Sequence, residues 1–134
     1  MPNHYTRAGE YPIEDVFAFI NAAPHVGSPI FAGHPVHIHP KVSKRYLLFM
    51  QKGTMCVACG LKATFFGFEK HTKMKTDHYH FNLYGVSPRG NEVLFTKDHI
   101  LPVSKGGGGG MENLQTMCQP CNERKGATVE TKTG

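Results

Sequence analysis

Apolar residues recur at helical spacing in two places. Ile13, Val16, Phe17 and Ile20 keep the i, i+3, i+4, i+7 rule, Pro12 suits a first turn, and Glu14 and Asp15 sit at the positive end of the dipole. A helix is expected there, ended by Asn21 to Pro24, with its stripe facing a core. The second runs from Lys44 to Lys52, with Ser43 as its cap, Tyr46, Leu47, Leu48 and Met50 as its apolar positions and Gly53 as its stop.

Alternation with a period of two marks a hairpin further on. Asp77 to Tyr84 alternates, Gly85 to Gly90 reads as a turn, and Asn91 to Lys97 returns as a strand with Asp98 and His99 at its far end. The prolines between Gly27 and Pro40 favour an extended loop. His34, His37 and His39 on that loop lack a carboxylate or cysteine at useful spacing and read as surface residues. His78 and His80 share one face of a strand and are candidate phosphate contacts. Phe65, Phe66 and Phe68 beside Lys70, Lys73 and Lys75 would suit base stacking, but a small domain without tryptophan needs such rings inside.

Composition narrows the picture. A chain of 134 residues fits one domain with a modest core. It holds no apolar run of membrane-spanning length, and Met1-Pro2-Asn3-His4 opens no signal peptide, so a cytoplasmic, intracellular protein without a membrane partner is expected. The formal charge is +5, unevenly spread: Lys41 to Lys75 carries eight bases against one acid, whereas the first forty residues are net −2. Such a basic segment suits a polyanion or, more blandly, is a solvated face.

The four cysteines form two Cys-x-x-Cys pairs, Cys56/Cys59 and Cys118/Cys121. Disulfides do not suit a protein with no sign of secretion, and a redox motif would need only one pair beside a βαβ pattern. Four thiolates from two knuckles suit a closed tetrahedral Zn2+ site. Gly60 after Cys59 permits the tight turn that aims backbone N–H groups at sulfur.

Between Asp98 and the second knuckle lies an ordered set: Asp98-His99-Ile100-Leu101-Pro102, Ser104-Lys105-Gly106-Gly107, Asn113-Leu114-Gln115 and Cys118-x-x-Cys121-Asn122-x-x-Lys125-Gly126. This pattern resembles the HNH endonucleases, also called ββα-metal or His-Me finger nucleases, in their four-cysteine zinc type. With the first knuckle it covers residues 43–126 and is similar to phage-borne members.

The resemblance implies a fold and a set of roles. The fold class is α+β: a small ββα-metal core made by a β-hairpin and a helix, a four-cysteine zinc site, and an N-terminal helical extension. Residues 1–42 would be that extension and residues 43–134 the nuclease domain. His99 would be the general base, since imidazole titrates near neutral pH. Asp98, on the opposite side of the strand, and Asn122, where the family places a histidine or asparagine, would bind a catalytic Mg2+ or Mn2+. Asn113 would tie down the loop and keep His99 oriented, with the glycine run Gly106 to Gly110 as a flexible active-site loop.

Lys73, Lys75, Lys97, Lys105, Arg124 and Lys125 are the candidate nucleic-acid contacts. DNA is the expected partner, cleaved to 5′-phosphate and 3′-hydroxyl ends, by a monomer or a homodimer. If phage-encoded, the protein would act in the host cytoplasm. The alternative is a zinc-stabilised nucleic-acid-binding regulator that does not cut. The intact Asp98-His99 pair and Asn122 argue for the enzyme.

Overall fold

A computed structural model describes residues 4–23, 27–38, 43–73 and 78–126. The described residues form three α-helices and seven strands in two compact units, Met1–Ser43 with Thr64–Tyr84, and Lys44–Ala63 with Gly85–Gly134. No helix among them is long and apolar enough to cross a membrane.

The first unit opens with strand β1 (Tyr5–Tyr11), which the sequence reading did not anticipate, before helix α1 (Ile13–Ala22). β1 lies antiparallel to β4 (Ala63–His71), with Tyr5 opposite His71, Tyr11 opposite Phe66, and a bulge between Arg7 and Gly9. β2 (Ile30–Phe31) and β3 (His34–Pro35) make a two-residue ladder within the expected extended loop. β5 (His80–Val86) begins three residues later than the alternation suggested, and Met74 to Asp77 lie outside the described residues.

Phe66 and Phe68 are core, as composition required, whereas Phe65 is half-buried. Phe66, Phe68 and Phe81 are fully buried, Phe17 packs edge-on against Phe66, and Phe31 meets both Phe68 and Phe81 at 5.1 Å between ring centres. Each such side chain contributes about 1.5–3 kcal/mol through burial. The other face of β4 carries Phe65, stacked on Tyr84, and Glu69 with no solvent exposure. Glu69 accepts from the Arg7 Nε at 2.6 Å, the Asn82 Nδ2 at 2.7 Å and the Tyr84 hydroxyl at 2.6 Å, which satisfies a carboxylate that burial alone would penalise. Arg7 in turn lies over the Tyr84 ring at 4.8 Å.

In the second unit, α2 (Lys44–Lys52) has the expected bounds and buries Tyr46, Leu48 and Phe49. β6 (Glu92–His99) pairs antiparallel with β7 (Leu114–Cys118), from Phe95 opposite Cys118 to His99 opposite Leu114, and α3 (Gln119–Lys125) follows directly. The ββα element is therefore β6–β7–α3. The expected hairpin of 77–84 with 91–97 is not that element, because β7 was hidden in a five-residue segment whose residues are buried or half-buried and show no alternation. The turn before β6 closes through Ser87 N–H to Asn91 O and Gly90 N–H to Ser87 O.

Candidate active site and metal cluster

Local geometry builds the cysteine cluster first. Gly60 takes a positive φ of 79°, letting its N–H return to the Cys56 carbonyl, while Cys56 N–H bonds Leu61 O. Val57 N–H reaches Thr116 O and the Thr116 hydroxyl reaches Gly53 O, so the first knuckle is clipped to β7, which carries Cys118. All four sulfurs lie within 4.8 Å of one another, and Cys59 Sγ to Cys118 Sγ is 3.8 Å. Sulfurs about 2.3 Å from a shared tetrahedral ion would be about 3.8 Å apart, whereas a disulfide requires about 2.05 Å.

Burial alone would raise the Cys56 thiol, yet the N–H groups of Cys118, Cys59 and Ala58 outweigh it and bring it down to about 6. Cys118 and Cys121 are pushed up, first by burial and then by the neighbouring cysteines. Four sulfurs so close become thiolates together only when a positive ion offsets their repulsion. The four cysteines are positioned to bind a metal of the zinc type.

The second constellation starts at the end of β6. Asp98 is buried, and both Gln115 Nε2 at 2.9 Å and Lys125 Nζ at 3.2 Å meet its Oδ2. His99, on the alternate face, is half-buried, and its carbonyl accepts from Lys125 Nζ at 2.9 Å. Asn122, in the first turn of α3, donates from Nδ2 to Thr96 Oγ1 at 2.8 Å. Lys97, Asp98, His99, Asn122 and Lys125 line one cleft of about 300 Å³, together with Pro102, Val103 and Gly126.

Asn113 lies at the end of the connecting segment and closes it. Its Oδ1 accepts from Leu101 N–H at 2.8 Å, its Nδ2 donates to Leu101 O and Gly108 O, and its carbonyl accepts from Ile100 N–H. The glycine run is held rather than flexible. Gly107 N–H bonds Pro102 O, Lys44 Nζ bonds Gly109 O at 2.6 Å, and Lys52 Nζ caps Met111 O and Leu114 O. A Cβ on Gly107 would overlap the Leu101 carbonyl oxygen, so this glycine is there for close approach.

Residues 89–134 match a family model described as HNH endonuclease. The match spans the C-terminal third of the chain. No curated protein and no solved structure matches it. The matched stretch contains Asp98, His99, Asn113, Asn122 and the second knuckle, while Cys56 and Cys59 of the cluster lie before it.

The candidate nucleic-acid contacts divide. Lys97, Lys105 and Arg124 are exposed, although Arg124 Nη2 also donates to Cys121 Sγ at 3.0 Å. Lys125 is buried and lines the cleft, its ammonium paired with Asp98, because a buried carboxylate needs a counter-charge. Lys73 is exposed in the first unit, Lys75 lies outside the described residues, and His78 shares a hydrogen bond with Ser28. Sequence reasoning gave no role to Thr96, Lys44 and Lys52, nor to Gln115, which it quoted only as part of the motif.

The donor set of the cleft fits a hard divalent ion. Asp98 brings a carboxylate, and Asn122, with Nδ2 engaged by Thr96, brings an amide oxygen. The cleft has no sulfur among its lining residues, which separates it chemically from the cysteine cluster.

Proposed function

We propose that this protein hydrolyses DNA phosphodiester bonds in a metal-dependent reaction with His99 as general base. The observation that carries this reading is one cleft holding Asp98, His99 and Asn122 inside the HNH match. Lys97, which lines the cleft, and the exposed Lys105 engage backbone phosphates. His99 takes a proton from the water that attacks phosphorus, the phosphorus–O3′ bond breaks, and a 5′-phosphate and a 3′-hydroxyl result. The 3′ oxygen takes its proton from solvent. Mg2+ or Mn2+ bound by Asp98 and Asn122 would polarise the phosphate and stabilise the leaving oxygen. Asn113 acts through the loop, keeping the backbone that follows His99 in place, and residues 43–134 form the nuclease domain, with a structural Zn2+ on the cysteines. A phage-borne, nicking or homing-like enzyme acting in the cytoplasm is the setting that fits the resemblance.

Plasmid cleavage with and without Mg2+ or Mn2+, native protein against His99→Ala, tests this. Metal-dependent cutting by the native protein alone supports it. If both proteins retard plasmid on a gel and neither cuts with any metal, the chain is a nucleic-acid-binding regulator instead.

A further inference from the structure

We propose that Thr96 is a positioning residue that fixes the amide of Asn122 so that its oxygen is the atom offered to a divalent cation; this rests on the metal-dependent reading of the cleft. A side-chain amide presents oxygen and nitrogen in nearly the same shape, and only the oxygen can ligate a hard cation. Something must therefore choose between the two orientations. A hydroxyl beside the amide does not choose by itself, since it can donate or accept.

Thr96 has lost that freedom. Its Oγ1 lies 2.7 Å from the Met117 carbonyl oxygen, which only accepts, so the one hydroxyl proton is spent there. The remaining lone pairs of Oγ1 accept, and the partner at 2.8 Å must be a donor, Nδ2 of Asn122. The amide nitrogen is thereby tethered and Oδ1 is the free end. One hydroxyl ties β6, β7 and α3 together at the site, since Thr96 is opposite Met117 in the ladder and Asn122 is on the helix.

Asp98 follows the same plan by different means. Gln115 and Lys125 both engage Oδ2, which leaves Oδ1 as the second oxygen for the cation. Neither Thr96 nor Gln115 touches substrate in this scheme. Each selects which atom of its neighbour faces outward, as supporting residues of metal ligands do.

The test is Mn2+ binding to the full chain without DNA, followed by electron paramagnetic resonance, in native protein, Asn122→Ala, Thr96→Val and Thr96→Ser. Thr96→Val keeps the shape and removes the hydroxyl. It is expected to weaken Mn2+ about tenfold or more while Thr96→Ser stays near native. Zinc content of the cysteine cluster and the far-ultraviolet spectrum should be unchanged in all four. Should Thr96→Val fail to fold, Thr96→Ala on the same readouts replaces it.

Asn122→Asp supplies a background in which orientation does not matter, because both carboxylate atoms are oxygens. There the Thr96→Val penalty should largely vanish. Native-like Mn2+ binding by Thr96→Val, or an equal penalty in the Asn122→Asp background, overturns the proposal. If Asn122→Ala binds Mn2+ as the native protein does, it is the metal reading of the cleft that fails.

Discussion

The cysteine cluster and the cleft are built on the same β7–α3 junction, yet they are made in opposite ways. In the cluster four sulfurs converge within 4.8 Å, on three buried cysteines and the exposed Cys59. In the cleft Asp98 and Asn122 line an open space of about 300 Å³ beside Lys125, and Thr96 and Gln115 hold their side chains by hydrogen bonds. A closed site is made by its ligands, whereas an open one is made by whatever holds its ligands still.

The largest effect expected comes from breaking the cluster. Cys56→Ser should abolish zinc binding and the cooperative thermal transition of the unit holding 44–63 and 85–134, since structural zinc supplies about 10 kcal/mol or more of folding energy in small domains. Metal analysis and a melting curve check this, and cleavage should disappear with the fold. A variant that melts as the native protein does would mean the cluster is not a fastener.

His99→Ala should break the other side of the comparison alone. Cleavage should fall about 10²–10⁴-fold while zinc content and melting temperature hold. If zinc were lost as well, the two sites would not be separable in the way their contacts imply.

The glycine run sharpens the contrast at smaller amplitude. Gly107→Ala should lower stability by about 1–3 kcal/mol and slow cleavage, because its Cβ meets the Leu101 carbonyl, whereas Gly108→Ala, with open space around it, should be near neutral. Denaturant titration of both variants tests whether the run is shaped or merely long.

The smallest effect is alkaline and lies in the first unit. Burial, then the hydrogen bond and charge of Glu69, raise the Tyr84 hydroxyl well above its ordinary value of 10.0. A raised folded value stabilises fully below pH 10 and is lost as pH climbs toward the folded value. Unfolding followed between pH 9 and 12 should show a decline that Tyr84→Phe lacks, with zinc and His99 unaffected as its cause.

Much of this was legible beforehand, and the rest was not for identifiable reasons. α2 kept its expected bounds because periodicity, cap and stop coincide from Ser43 to Gly53. The cysteine cluster was legible because ligating residues stand in a fixed order, and the same kind of order singled out Asp98, His99 and Asn122, which the fold brings to one cleft. β1 was hidden because its inward Arg7 becomes a reasonable buried-face residue only once Glu69, sixty-two residues later, stands opposite. Thr96 and Gln115 are unremarkable letters whose work depends on a cross-strand register. The pairing of Lys125 with Asp98 was not legible, since sequence cannot say that a cation on α3 turns toward a buried carboxylate.

The clip between the first knuckle and β7 has a consequence for the timing of assembly. During synthesis Cys56 and Cys59 leave the ribosome well before Cys118 and Cys121, which lie fifty-nine or more residues further along. An ion shared by all four sulfurs can be captured only when the second knuckle arrives. That same stretch delivers Gln115, Asn122 and Lys125 to Asp98 and His99. The stretch that completes the sulfur cluster is thus also the one that completes the cleft.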